Sequence, residues 1–141
     1  MIAVDTNVLL RYLLKDNTKQ ALQARRLIQG DEHVLVTDTV LVALIRTLKG
    51  KKYKLQKSDL IAVIQALFEE PNIRFENNQV VWLTLNAYRD SKPVRGKNVD
   101  FADTLIISKA RYLMKNLHET FNGVYTFDKA AQTLRGAKAP G

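Results

Sequence analysis

Short apolar runs rich in β-branched residues alternate with longer helix-period segments along the whole chain. Ile2-Ala3-Val4, Val34-Leu35-Val36 and Gly123-Val124-Tyr125-Thr126 are such runs, and Ile73 marks a further short one. Runs of this length bounded by polar residues read as buried strands. Strands interleaved with helices bury their apolar faces best as a parallel sheet with helices on both sides. The expected fold is therefore α/β, a three-layer α/β/α domain around a central, mostly parallel sheet.

The helices announce themselves by their caps. Thr6-Asn7 opens a helix bearing Leu9, Leu10, Leu13 and Leu14, and Asp16-Asn17-Thr18 opens one that Gly30 stops. Thr37-Asp38-Thr39 precedes a stripe of Leu41, Leu44, Ile45 and Leu48, with Gly50 as the stop. Ser58-Asp59 is the expected cap of a helix carrying Leu60, Ile61, Ile64 and Leu67 and halted before Pro71. A fifth helix is expected from Asn77 to Asp90, with Val80, Val81, Leu83, Leu85 and Ala87 as its apolar set. A sixth, from Asp100 to about Lys115, is apolar on most sides and is expected to be central and well buried. After Asp128 a short helix runs to Leu134.

The chain has 141 residues, which suits one domain over residues 1–141, with 135–141 as a frayed tail or a last edge strand. It has no cysteine, which removes disulfides, thiolate metal sites and cysteine nucleophiles. No apolar run is long enough to span a membrane, and the opening Met-Ile-Ala-Val-Asp has no basic leader, so a cytoplasmic setting is expected. The net charge of +8 favours a polyanionic partner, nucleic acid above all.

Three aspartates occupy comparable places in the pattern. Asp5 and Asp128 follow strands, and Asp103 lies in the first turn of the sixth helix. In an open α/β sheet, residues at the carboxyl ends of strands line the crevice where ligands bind. Capping explains each one singly, with Asp100 as the cap of the helix that holds Asp103. Asp103, however, shares a face with Ile107, Ala110 and Met114, where a lone carboxylate is costly unless it is paired or bound to a cation. A cluster of such acids either takes up protons or holds a metal, and oxygen-only donors suit Mg²⁺ or Mn²⁺.

Val4-Asp5-Thr6-Asn7-Val8-Leu9, Asp100-Phe101-Ala102-Asp103 and Thr126-Phe127-Asp128-Lys129 together resemble the signature segments of PIN-domain ribonucleases, in particular the VapC toxins of bacterial toxin–antitoxin pairs. The resemblance extends from Met1 to about Leu134. It implies an endoribonuclease dependent on Mg²⁺ or Mn²⁺, acting on RNA as a homodimer and inhibited by a VapB-type antitoxin. It carries catalysis and metal ligation onto Asp5, Asp103 and Asp128, makes Asp100 an auxiliary acid, and gives Asn7 and Thr126 the task of holding the acids or a bound water.

One position departs from the resembled pattern. Where it has a glutamate within Val-Leu-x-Glu-Leu, this chain reads Val40-Leu41-Val42-Ala43-Leu44, so the glutamate position is Ala43. Ala43 lies off the apolar stripe of its helix, beside Thr39 and Thr47. Asp38 is a poor substitute, because five residues correspond to about 140° around a helix and it reads as a cap. An engineered inactivation and a natural loss both account for the alanine. Either way, weakened metal binding and little cleavage are expected.

RNA would be drawn in by Arg11 and Lys15, by Lys92, Arg95 and Lys97, or by the lysine-rich loop from Lys49 to Lys57. Tyr12, Tyr53 and Trp82 are candidates for stacking an unpaired base, and Leu9, Leu13 and Leu14 offer an apolar face to a partner. His33 and His118 are expected at the surface and outside the chemistry. Three other readings remain: a PIN fold that only binds RNA or antitoxin, a phosphatase or receiver-like domain with aspartates at strand ends, and a nucleotidase. The helix start Asp-Phe-Ala-Asp fits the second poorly, and the absence of a glycine-rich phosphate loop weakens the third.

Overall fold

The computed structural model describes residues 1–141, which cluster into two compact units, Met1–Asn78 and Gln79–Gly141. The first unit runs β1 (Ile2–Ala3), α1 (Thr6–Leu14), α2 (Thr18–Ile28), β2 (Val34–Val36), α3 (Asp38–Lys49), α4 (Lys57–Glu69) and β3 (Ile73–Phe75). The helix α5 (Asn78–Asp90) starts at the boundary. The second unit continues with α6 (Phe101–Asn116), β4 (Val124–Tyr125), a 3₁₀ turn (Ala131–Thr133) and β5 (Ala137–Lys138).

The expected α/β class with a parallel sheet is what the structure has. The strands β1, β2 and β3 pair in that order, all parallel, with Ile2 opposite Val34 and Val34 opposite Ile73. Val34 and Val36 are fully buried, as befits the central strand of a parallel sheet. Leu41, Leu44, Ile45 and Leu48 form the buried stripe of α3, and Leu60, Ile64 and Leu67 that of α4. The phenylalanines Phe68 and Phe75 meet with ring centroids 4.8 Å apart.

The corner between α1 and α2 is built from polar groups. Asn17 caps α2 by accepting from the Gln20 N–H at 3.0 Å. Across the turn, the Arg11 guanidinium donates to Asp16 at 2.6 Å and to Gln20 at 3.0 Å. That contact holds the Asp16 carboxyl below its usual range, chiefly through the Arg11 hydrogen bond. Tyr12 donates its hydroxyl to Glu70 and accepts from Gln29 at 3.1 Å. Burial, and after it the Glu70 bond, raises the Tyr12 phenol.

Several expectations need correction. Helix α4 starts at Lys57 with Gln56 as its N-cap, not at Ser58-Asp59. Asp59 sits in the first turn and its Oδ2 accepts from the Gln56 N–H at 3.0 Å, so its carboxylate serves the same helix end from the inside. Thr37, not Asp38, caps α3, accepting from the Val40 N–H at 3.3 Å. In α5 Leu83 is exposed and Thr84 is buried, its hydroxyl donating to the Val80 carbonyl at 2.7 Å. Helical phase decides this, because Val80, Thr84 and Tyr88 share a face and Leu83 falls outside it.

Helix α6 is not buried all round. Its buried residues are Phe101, Ala102, Thr104, Leu105 and Ile107, all in the first two turns, whereas Ile106 and Leu113 are exposed. Apolar content on several faces does not guarantee cover on all of them. The Val124–Tyr125 strand does not join the three-stranded sheet. It pairs in parallel with Ala137–Lys138, so the tail forms an edge strand rather than fraying. Leu9, expected above as part of a partner-binding face, is fully buried core, while Leu13 and Leu14 are half-buried. Both histidines are exposed, as expected.

Candidate active site

In the first unit the carboxyl ends of the three parallel strands carry acids. Asp5 follows β1 in extended backbone and is exposed; its Oδ1 accepts from the Val8 N–H at 3.3 Å and so caps α1. Asn7, in the first turn of α1, is also exposed. Asp38 follows β2, and Glu76 follows β3. The two are joined, because Glu76 Oε1 accepts from the Asp38 N–H at 2.9 Å. Glu76 was missed by sequence reading. Its signal was its place directly after the strand Ile73–Phe75, the same relation that singled out Asp5.

Ala43 stands in the second turn of α3, half-buried and off the apolar stripe. Exposed Thr39 and Thr47 flank it along the helix, and the Thr47 hydroxyl donates to the Ala43 carbonyl at 2.8 Å. The position thus faces away from the fully buried Leu41–Leu44–Leu48 line, as the helical spacing requires. It supplies no carboxylate. Arg11, a candidate RNA contact, is committed to Asp16 and Gln20, and Lys15 is the exposed left-handed C-cap of α1 at φ +56°.

The second unit holds the other acids. Asp100 caps α6, its Oδ1 accepting from the Ala102 N–H at 3.2 Å and its carbonyl from the Thr104 hydroxyl at 3.0 Å. Asp103 lies half-buried in the first turn of that helix. Tyr88 packs edge-on against Phe101 with centroids 5.4 Å apart. Burial first, and then the nearby Asp100 charge, raises the Tyr88 phenol.

Asp128 is held through both its side chain and its backbone. Its Oδ1 accepts from the Ala131 N–H at 2.9 Å, and its own N–H donates to Thr126 Oγ1 at 3.1 Å. Thr126 is fixed in turn, since Gln132 Nε2 donates to its carbonyl at 2.7 Å. Lys97 Nζ lies 3.7 Å from Asp128 Oδ2. The Ala131 N–H, and after it the Lys97 charge, hold the Asp128 carboxyl below its ordinary range against the opposing effect of desolvation.

Lys97 is delivered by a tight turn. Val94 and Lys97 exchange both backbone hydrogen bonds, at 2.9 and 3.0 Å, around Arg95 at φ +52° and Gly96 at φ +76°. Two consecutive positive φ values define the type I′ turn, whose second position glycine takes without strain. Arg95, Lys97, Phe127, Asp128 and Lys129 then line a cavity of about 410 Å³. Lys92 lies outside it, on a separate cavity with Asp90 and Arg135.

Asp5, Asp100 and Asp128 therefore each have a backbone duty, served through Oδ1. The donor set is all oxygen and would suit Mg²⁺ or Mn²⁺ by type. In neither unit, however, do three Asp, Glu or His side chains stand close enough to hold a metal ion. Neither unit by itself fits a resident divalent ion.

A family model described as PIN domain matches residues 2–135. No curated protein matches the chain.

Proposed function

The chain belongs to the PIN-domain family, whose members are in general metal-dependent nucleases, and from that premise we propose that it is an RNA-directed nuclease of the VapC toxin type, crippled at position 43. On this reading its substrate is an RNA phosphodiester, its ion is Mg²⁺ or Mn²⁺, and a VapB-type antitoxin restrains it. Homodimerisation, as the resemblance implies, belongs to the same proposal. No helix of the structure is long and apolar enough to cross a membrane.

The observation that carries the reading is the continuity of the family match. It runs through both compact units and includes all three acidic segments, Asp5, Asp100 to Asp103, and Asp128. That continuity also supports treating the chain as one domain. The chain's own residues have definable tasks in such a reaction. The Ala131 N–H holds the Asp128 carboxylate and Thr126 Oγ1 holds the Asp128 backbone N–H, while Lys97 and Arg95 bring positive charge beside it. Positive charge at that point stabilises a phosphodiester against an otherwise repulsive acidic site.

Ala43 favours a second reading, a PIN fold that binds RNA or antitoxin without cutting. A missing ligand or supporting acid at a metal site costs about 10–100-fold or more in affinity or activity. The test compares this chain with Ala43→Glu in RNA cleavage with Mn²⁺ or Mg²⁺, an EDTA control, and calorimetric titration of Mn²⁺. The expected result is cleavage and Mn²⁺ binding restored by the glutamate, by at least that factor. Equal cleavage by both chains would remove Ala43 from the site. Cleavage by neither, with RNA still bound, would favour the binding-only reading.

A further inference from the structure

Phe127 is 84% exposed, more than any other large apolar side chain of the molecule. It is not a core residue displaced by poor packing, because its neighbours Thr126 and Asp128 are fixed by the hydrogen bonds of the turn. Its ring lies on the 410 Å³ cavity, in the volume range of small-molecule sites, beside Arg95, Lys97 and Lys129. An exposed aromatic face ringed by cations is the composition of a single-strand nucleic-acid platform: the ring stacks a base and the cations take the flanking phosphates.

We propose that Phe127 is a positioning residue that stacks one unpaired nucleobase of an RNA strand next to Asp128, with Arg95, Lys97 and Lys129 on the adjoining phosphates. The inference rests on the RNA-directed reading above and deepens it. The tight turn at Arg95-Gly96 keeps the cations in place, since two backbone hydrogen bonds close it. Lys97 now neutralises Asp128 at 3.7 Å and is itself largely exposed, so it can lean toward a phosphate without breaking a buried contact. Tyr12, a candidate for stacking on sequence grounds, is occupied by Glu70 and Gln29, whereas Phe127 combines an open face with cationic company on the same cavity.

The test measures binding apart from cleavage. A fluorescein-labelled single-stranded RNA octamer is titrated in EDTA against the parent chain, Phe127→Ala and Phe127→Trp, with anisotropy as the readout. Loss of one stacked base should weaken binding by about 5- to 150-fold in the alanine variant. The tryptophan variant should bind like the parent, with its added fluorescence quenched by RNA. Removing Lys97 in a Lys97→Ala chain should lower the salt slope by about 0.7, the increment for one phosphate on a single strand. Thermal unfolding of all variants checks that each is folded, and an exposed ring predicts unchanged midpoints. Parent binding that is unaltered by Phe127→Ala overturns the inference and leaves the nuclease reading standing. A parent that binds no single-stranded RNA overturns the inference too, while cleavage by the Ala43→Glu chain judges the nuclease reading separately.

Discussion

Replacing Asp5, Asp100 or Asp128 by alanine removes a carboxylate from the candidate chemistry and, at the same time, an acceptor from a backbone N–H. The two effects separate if each alanine variant is paired with an asparagine variant. Asparagine keeps Oδ1 and caps about as well as aspartate, whereas alanine at a cap costs about 0.5–2 kcal/mol. The geometry ranks the three positions. Asp128 accepts at 2.9 Å, the ideal length for such a bond, whereas Asp100 accepts at 3.2 Å and Asp5 at 3.3 Å. Asp128→Ala should therefore cost the most and Asp5→Ala the least, all within roughly the 0.5–2 kcal/mol of a lost cap. The asparagine variants should stay within about 0.5 kcal/mol of the parent, losing mainly a charge at a helix or turn start. In a chain of 141 residues, 1 kcal/mol moves the melting temperature by about 3–4 °C. Urea unfolding followed by circular dichroism reads the free energies directly. If Asp128→Ala proves as stable as Asp128→Asn, the cap is not what holds that segment and the reasoning fails. On an Ala43→Glu background, an asparagine variant that keeps its stability and loses cleavage would isolate the chemical role from the structural one.

The pH dependence of Asp128 follows from its depressed carboxyl. The folded value lies below the unfolded one, near 3.9, so its contribution to stability is complete above that pH and is lost as pH falls through the folded value. Carboxyl-carbon NMR should show Asp128 titrating below 3.9 in the parent and somewhat higher in Lys97→Ala, yet still depressed because the Ala131 N–H contributes more; a parent midpoint at or above 3.9 would refute this. At Gly136, φ is +93° and an added Cβ would meet Arg111 Cδ at 2.9 Å and Phe121 Cε1 at 3.0 Å. Gly136→Ala should accordingly cost about 1–3 kcal/mol in urea unfolding, and no loss of stability would show that β5 relaxes freely around that turn.

Caps and buried stripes were legible in the sequence because they depend on residues close together in the chain. Asn17 and Asp100 cap the helices their positions announced, and the α3 stripe is buried as its spacing demands. The failures lie where two local solutions compete or where the partner is distant. Ser58-Asp59 looked like a cap, but Asp59 can satisfy the same helix end from the first turn, and the helix starts earlier at Lys57. The Val124–Tyr125 run was legible as a strand, yet its own residues do not say which strand it pairs with, and it chose Ala137–Lys138.

The site was legible in the same uneven way. Aspartate after a strand or before a helix answers two needs with one side chain, a cap through Oδ1 and a negative charge available to a ligand. Sequence reading could not decide between them at Asp5, Asp100 and Asp128, and the structure shows why the choice was false: the cap leaves the charge in place. Phe127 escaped notice for the opposite reason. Aromatic residues are mostly core, so one between a cap-like threonine and a capping aspartate passes for packing. Only the fold shows that the turn on either side is already held by hydrogen bonds and has no use for the ring, which stands in solvent beside three cations. An apolar side chain that the fold does not consume is the part of this sequence that asks for a ligand.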